Sequence, residues 1–472
     1  MAGAMRDASP FDPGSIETFR VTDWELDPGT WSLRLRYALC GPAGGTRLDF
    51  EEQVSFGVAG LRPTSPATAG SEVPPAFGRA ADLLHLAAGV SYYKAAAPRH
   101  VVVERSVPED ELAVARLLYD DGLREFAVAN GLAVPLDVEV HGTGEGRSGS
   151  AVAVPVSAEV GRVLVPVGGG KDSFVLAEAL RPLRPLLFAV NPKPFVVAAV
   201  EAAGFDLLVV RRTLDPLLLE LNRRGARNGH VPITAVVSLL AVAAATLVGG
   251  DRVVLAVERS ASEETAVVDG VPVNHQFSKS LGLERALAGL VARRVDPALR
   301  YGSGLRPYSE LAIARSFAGM PGYHHRFVSC NTAYRLDASG PPSWCGACPK
   351  CRFVALVLAP FLGRDAVADI IGRDLFADPD QVDGFAALFG AEKPYECVGE
   401  RLESAAALAL LADRPAWRDA PVVAALAEQA RVLVAPGDLE RVLEPDRLLA
   451  YPDAEVAAAV AAVLEGVSVP RS

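Results

Sequence analysis

Val165-Pro-Val-Gly-Gly-Gly-Lys-Asp-Ser173 follows the apolar run Val163-Leu-Val165 and precedes Phe174-Val-Leu-Ala-Glu-Ala-Leu180, which reads as the first turns of a helix. A glycine turn between a buried strand and a helix N-terminus brings backbone N–H groups together around an anion. Three loops of this kind compete. The ATPase loop G-x-x-x-x-G-K-[ST] needs glycine at 165 and a hydroxyl at 172, and the chain has Val165 and Asp172. The dinucleotide fingerprint starting at Gly168 needs glycine at 173, where Ser173 stands. The pattern that fits is [S/G]-G-G-x-D-S, with Gly168, Gly169, Gly170, Lys171, Asp172 and Ser173 in its six places. An ordinary turn would also favour Asp and Ser as caps, but three consecutive glycines cost more backbone entropy than a turn requires.

That pattern is the loop of the ATP-pyrophosphatases, in which glycine N–H groups, the serine hydroxyl and the helix N-terminus surround a pyrophosphate. It implies binding of ATP, cleavage between the α and β phosphates, and transfer of AMP to a substrate oxygen. Asp172 is placed either to orient the loop or to hold Mg²⁺.

Outward from the loop, strand and helix alternate. Strands are expected at 163–167, 186–190, 207–210 and 253–257, and helices at 173–180, 195–203, 216–224 and 234–248. Short apolar strands alternating with helices predict an α/β fold with a doubly wound parallel sheet, here of the adenine-nucleotide α-hydrolase type. Its ligands bind at the carboxyl ends of the strands. Three regions are expected: an α+β domain over 1–155, the ATP-binding domain with a cysteine cluster over 156–355, and a helical region over 356–472. In the first, Phe19-Arg-Val-Thr-Asp-Trp-Glu-Leu26 and Trp31-Ser-Leu-Arg-Leu-Arg-Tyr-Ala-Leu39 alternate around Asp27-Pro-Gly29, as in an antiparallel hairpin. A third strand is expected near Asp49-Phe-Glu-Glu-Gln-Val-Ser-Phe56, helices at 76–96 and 109–130, and an exposed loop over the polar, Gly-rich 139–151.

Composition narrows the function. The chain has 472 residues, half of them apolar, which is enough for large cores. Forty-six basic against 57 acidic residues leave a net charge of -11, so nothing attracts nucleic acid in general, and an anionic ligand needs locally placed Arg and Lys. The uncharged stretch from Val231 to Val248 approaches a bilayer span in length. Its Thr234, Ser238 and Thr246, the Gly249-Gly250 stop and the strand behind it instead favour a buried helix, with no membrane contact. The first residues lack an apolar segment behind a basic one, so a cytoplasmic location is expected. Nothing in the sequence sets an oligomeric state.

Four of the six cysteines fall within 22 residues, as Cys330, Cys345, Cys348 and Cys351 in a Cys-x14-Cys-x2-Cys-x2-Cys pattern. Each x2 step turns two thiolates toward one point, and a fourth ligand after a loop completes a tetrahedron. Zn²⁺ is the leading reading, an iron–sulfur cluster and free buried thiols the alternatives. Cys40 and Cys397 stand apart and read as plain core thiols.

Polar phrases cluster after the sheet strands: Asn191-Pro-Lys-Pro194, Asn228-Gly-His-Val-Pro232, Glu258-Arg-Ser-Ala-Ser-Glu263, Val273-Asn-His-Gln-Phe-Ser-Lys-Ser280 and Leu305-Arg-Pro-Tyr-Ser-Glu310. Together with the glycine loop, Trp344-Cys-Gly-Ala-Cys-Pro-Lys-Cys351 and Lys393-Pro-Tyr-Glu-Cys-Val-Gly-Glu400, they resemble the ATP-dependent UDP-N-acetylmuramoyl-L-alanyl-L-glutamate epimerases of bacterial peptidoglycan synthesis. The resemblance extends over most of the chain. It implies an isomerase that inverts the terminal L-glutamate of the UDP-muramoyl dipeptide through an adenylated α-carboxylate. Adenylation explains the need for ATP: a free carboxylate opposes loss of the α proton, whereas an acyl adenylate delocalises the resulting charge.

His275 is then the leading candidate for the base and Lys279 the second, because a group titrating near neutrality suits proton transfer. Lys193, Arg259 and Arg306 are candidates for the substrate's carboxylates and phosphates, and Lys171 with Mg²⁺ for the pyrophosphate. Two rivals remain at this stage: another adenylating enzyme of nitrile, amide or thiolation chemistry, and a nucleotide-binding regulator without catalysis.

Overall fold

A computed structural model describes residues 10–43, 45–58, 74–144, 161–334 and 343–466. Its centre is one ten-stranded sheet. The strands are β1 (Thr18–Asp27), β2 (Ser32–Cys40), β3 (Arg47–Phe56), β4 (His100–Val103), β5 (Glu139–Gly142), β6 (Arg162–Pro166), β7 (Leu186–Val190), β8 (Leu207–Thr213), β9 (Gly250–Leu255) and β12 (Arg300–Ser303). Two short strands, β10 (Ala266–Val268) and β11 (Val271–Val273), form a separate hairpin.

Across the large sheet the order is β12-β9-β6-β7-β8-β3-β2-β1-β4-β5. The first five strands are mutually parallel. Numbered in chain order they lie 3-2-1-4-5, with the reversal between β6 and β9. At such a reversal the connecting helices leave to opposite faces and open a crevice at the strands' carboxyl ends. The predicted α/β class and parallel strands are therefore present, in a mostly parallel sheet.

The remaining five strands extend the same sheet. β3 pairs antiparallel with β8, Gln53 opposite Thr213 and Phe56 opposite Val210. A buried ion pair closes this seam: Arg212 donates to both carboxylate oxygens of Glu52, at 2.6 and 2.9 Å, and to Ser91 Oγ at 2.9 Å. The boundary expected near residue 155 lies outside the described residues, and the sheet continues on either side of it.

Two hydrophobic cores cover the two faces. One combines N-terminal side chains such as Phe19, Tyr37, Phe77 and Tyr119 with the helix Ile233–Val248. That helix is Ala-rich, ends at left-handed Gly249 (φ 68°), and packs against the helix Pro75–Ala88. It is the stretch tested above for a membrane span, and among the described residues no helix is long and apolar enough to cross a membrane. The other core joins the helices Lys171–Ala179 and Glu310–Ala318 to Pro349–Leu358, Arg401–Ala412, Pro421–Leu433 and Ala454–Leu464. The helical character expected beyond residue 356 is thus present, wrapped against the sheet.

Two local expectations need correction. Residues 139–142 are not loop but the edge strand β5, parallel to β4, with Val140 buried between outward-facing polar neighbours. Alternation over four residues is too short to separate from a polar loop by pattern alone. The helix expected over 76–96 breaks at Gly89, where a Cβ would come within 2.6 Å of Tyr119 Oη. Residues 145–151 of the expected loop fall outside the described part.

Candidate active site

The glycine loop leaves β6 at the sheet's reversal and enters the helix Lys171–Ala179. Gly169 has φ 85°, and a Cβ there would stand 2.8 Å from Val196 Cγ2 and 3.1 Å from Tyr334 Oη. Only glycine satisfies both the dihedral and the contact. On Gly168 a Cβ would meet nothing within 4 Å, so the outer rim of the turn faces open space. Gly170, in extended conformation, precedes the first helical residue, and no side chain caps the helix. Its first amides are therefore available to an anion. Ser173 Oγ donates to Gly170 O at 2.8 Å, which braces the turn.

Lys171 does not face the rim. It is buried, and its ammonium contacts Asp172 and Glu310. Glu310 opens the helix Glu310–Ala318, while Glu258 follows β9 across the reversal; both are buried. Asp172, Glu258 and Glu310 each bring one oxygen within 4.8 Å of the others. Burial, and then the negative charge of Asp172, raise Glu310 to about 7. Three clustered carboxylates are hard oxygen donors, and in this number they suit a divalent cation such as Mg²⁺.

The hairpin β10–β11 turns at Asp269-Gly270, both with positive φ, as two-residue hairpins require. The chain after it is fixed by Asn274, whose Oδ1 accepts from Gln276 N at 2.7 Å and whose Nδ2 donates to Ala261 O at 3.1 Å. This turn places His275 and Lys279 on one cluster. His275 Nδ1 lies 2.6 Å from Glu125 Oε2, and its ring packs 4.4 Å from that of His230. Lys279 Nζ contacts Cys397 Sγ at 3.3 Å and Gln276 Oε1 at 3.3 Å.

Burial opposes a charge on His275, but hydrogen bonding to Cys397 and Glu125 outweighs it and raises the imidazole to about 9. Burial likewise works against the Lys279 ammonium, and the negative charges of Cys397 and Glu258 carry it above its ordinary value. Lys279 therefore spans two sets of groups, the carboxylates beside the glycine loop and the Cys397–His275 pair. The imidazolium form of His275 is therefore favoured at neutral pH, which runs against the expectation of a base.

The arginine candidates are engaged elsewhere. Arg306 is 1% exposed, with four of its N–H groups donating to Glu284 Oε2 (twice), Glu258 O and Lys279 O. It ties together the backbones that carry Glu258 and Lys279 and presents no open face to a ligand. Arg259 reaches the carbonyls of Val442 and Glu444, each at 3.3 Å, and so anchors a C-terminal helix. Lys193 caps the helix Pro194–Ala202 in the loop after β7, at the carboxyl edge of the sheet.

The cysteines converge. The sulfurs of Cys330, Cys345, Cys348 and Cys351 lie within 4.8 Å of one another, with Cys345 Sγ 3.8 Å and Cys348 Sγ 3.5 Å from Cys351 Sγ. Backbone amides of Cys345 and Cys348 point at neighbouring sulfurs, at 3.4 and 3.3 Å, as amides do around thiolates. This candidate metal cluster adjoins the site. Val328, two residues before Cys330, donates from N to Gly169 O at 3.3 Å, Tyr334 donates to Gly168 O at 2.7 Å, and Lys350 donates to the carbonyl of Cys397.

Sequence reading missed three members. Glu125 lies in an unremarkable amphipathic stretch, whose neighbour Arg124 ties its helix to the hairpin through Pro272 O at 3.0 Å. His230 was visible within a polar phrase but had no partner along the chain. Cys397, read as a core thiol, is half-buried and in contact with an ammonium. Its only sequence signal was the phrase Lys393-Pro-Tyr-Glu-Cys397 around it.

Comparison with known proteins identifies relatives of the chain. No solved structure matches the chain. Three curated relatives bear the name UDP-N-acetyl-alpha-D-muramoyl-L-alanyl-L-glutamate epimerase. That of a Micromonospora species is 44% identical over 88% of this chain and 91% of its own. Those of Salinispora tropica and Xanthomonas oryzae pv. oryzae are 42% and 39% identical, over 87% and 92% of this chain and 88% and 94% of theirs. Residues 10–304 match the family model described as the MurL N-terminal domain, and residues 326–438 the one described as the MurL C-terminal domain. The chain belongs to the MurL family.

Proposed function

We propose that this protein is an ATP-dependent epimerase that converts the terminal L-glutamate of UDP-N-acetylmuramoyl-L-alanyl-L-glutamate to D-glutamate, producing AMP and diphosphate, in the assembly of the cell wall. The observation that carries this reading is the meeting of two chemistries at one end of the sheet. A phosphate-type glycine loop with three carboxylates lies on one side of Lys279, and a proton-holding cluster lies on the other.

The five parallel strands in 3-2-1-4-5 order, with the loop at their reversal, favour an adenine-nucleotide α-hydrolase core. The amides following Gly170 hold the diphosphate portion of ATP, and Asp172, Glu258 and Glu310 hold Mg²⁺. The ion, when bound, offsets the charge of the phosphates as pyrophosphate leaves. Lys171 keeps Asp172 and Glu310 oriented between them. The substrate's α-carboxylate attacks the α phosphate. The resulting acyl adenylate no longer opposes loss of its α proton, because the electron pair moves into the carbonyl. Proton exchange takes place beside His275 and Lys279, and water then releases AMP.

Lys193, at the carboxyl edge of β7, remains the basic candidate for the substrate's anionic groups. Arg306 and Arg259 act by positioning Glu258, Lys279 and the C-terminal helices. The four thiolates fit tetrahedral Zn²⁺ in a closed, all-sulfur set. In that role Cys330, Cys345, Cys348 and Cys351 would hold the metal, which would fix the segments carrying Val328 and Lys350 and take no part in the chemistry.

The test is incubation with ATP, Mg²⁺ and the L-glutamate-ended UDP-muramoyl dipeptide, followed by chiral analysis of the glutamate and measurement of pyrophosphate. D-glutamate with stoichiometric AMP is expected. Pyrophosphate release only with nucleobase substrates would assign the chain to another adenylating chemistry, and none with any precursor would leave a regulator.

A further inference from the structure

The epimerase reading leaves open which group takes the α proton, and the inference here rests on that reading. Cys397 lies on the segment between Lys393 and Glu400. Lys393 N bonds to Thr265 O at 3.3 Å, Gln276 Nε2 to Val398 O at 3.2 Å, and Lys350 to the Cys397 carbonyl itself. The backbone of this segment is therefore held from three directions. The sulfur faces two cations: Lys279 at 3.3 Å, and His275, which hydrogen-bonds to it and whose Nδ1 lies 2.6 Å from Glu125 Oε2.

A thiol flanked by an ammonium and an imidazolium ionises, and the thiolate, not the thiol, is the reactive form. A cysteine, a histidine within its reach and a carboxylate orienting that histidine form a chain in which the histidine keeps its proton. We propose that Cys397 is the catalytic base that removes the α proton of the adenylated glutamate, with Lys279, His275 and Glu125 as the residues that position and ionise it.

In this step the sulfur lone pair bonds the α hydrogen as a proton, the Cα–H bond breaks, and its electrons move into the acyl-adenylate carbonyl. The carbanion regains a proton on its opposite face from water, and the Cys397 thiol returns its own proton to solvent. Charge and protons then balance over a turnover.

The surroundings are consistent with ionisation near neutrality. Burial pushes the Cys397 thiol up, but the charge of Lys279 and the hydrogen bond from His275 bring it down to about 6. The other charged or titratable groups nearby are Lys350 from the helix Pro349–Leu358, Glu396 on the same segment, and His230 behind His275. His230 is lowered to about 4, first by burial and then by the His275 charge, so it contributes no competing positive charge at neutral pH.

The experiment follows washing of solvent deuterium into the α position, with ATP-dependent pyrophosphate release measured in parallel. Cys397→Ser should lose exchange by about 10²- to 10⁴-fold, the usual worth of a positioned base, while pyrophosphate release stays within about threefold. Exchange retained in that variant overturns the proposal. Absence of pyrophosphate release in the unaltered enzyme would instead sink the adenylation reading, so the two failures are separable.

A second measurement needs no variant: peptide mapping of iodoacetamide labelling in the metal-loaded enzyme as pH is raised. Half-maximal labelling of Cys397 near pH 6 is expected, and labelling only above pH 8 overturns the proposal. Two further outcomes would also overturn it: a thioester on Cys397 after acid quench, since sulfur would then bond carbon, and loss of a second metal equivalent in Cys397→Ser, since the cluster would then be a metal centre.

Discussion

Replacing Arg212 with methionine should destabilise the protein far more than a surface charge would. Arg212 makes a bidentate bond to Glu52 and a third bond to Ser91, and Glu52 is fully buried. Removing the guanidinium strands a carboxylate that is closed off from solvent and has no other ion-pair partner among the described residues. Breaking a buried pair from one side costs about 3–5 kcal/mol, roughly two to four powers of ten in the unfolding constant. Replacing both partners with apolar groups of similar size is close to neutral, because no charge is left behind. Urea titration followed by circular dichroism gives the comparison. Arg212→Met should lose about 3–5 kcal/mol, and Arg212→Met with Glu52→Leu should recover at least about 2 kcal/mol of it. A loss below about 1 kcal/mol, or a double variant no better than the single, would refute the argument that this pair carries the seam.

At the carboxylate cluster, Glu258→Gln or Glu310→Gln should lower pyrophosphate release by about 10²-fold or more and raise the Mg²⁺ concentration needed for half-maximal rate; an unchanged Mg²⁺ dependence would remove these residues from the ion. Cys345→Ser should lower the zinc-to-protein ratio measured by plasma emission, whereas Cys40→Ser should not. His275→Asn should slow α-deuterium exchange by about 10²-fold while leaving adenylation intact, because it withdraws a cation from Cys397. In the unaltered enzyme the exchange rate should rise through about pH 6 as the Cys397 thiol ionises, and fall through about pH 9 as His275 loses its proton. A profile flat across pH 5–10 would contradict both assignments. Gly169→Ala should weaken ATP binding, since its Cβ would stand 2.8 Å from Val196 in a left-handed backbone.

What the sequence revealed depended on distance along the chain. Alternating strands and helices from Arg162 onward, the glycine turn and the two Cys-x2-Cys steps are encoded within a few residues, and each forms where expected. The pairing of β3 with β8 joins segments more than 150 positions apart, and neither strand carries a local mark of it. Arg306 shows the opposite failure. It is buried and bonded to Glu284 and to two backbone carbonyls, and residue type alone does not separate such an arginine from one that faces open space. Cys397 was set aside because a single cysteine has no spacing to read, and its partners come from residues 275 and 279, with Glu125 behind His275.

The unbroken sheet has a mechanical consequence. Ten strands bonded edge to edge, with a core on each face, contain no flexible joint about which two halves rotate. Ligand exchange in this enzyme must therefore come from loops and side chains at the strand ends, not from a clamshell motion. The same continuity makes the nucleotide-binding half a poor candidate for isolation. Trimming the chain ahead of Arg162 would bare residues 210–213 of β8 as an unpaired edge, a template for other chains to add to. A fragment made that way should precipitate rather than report on ATP binding.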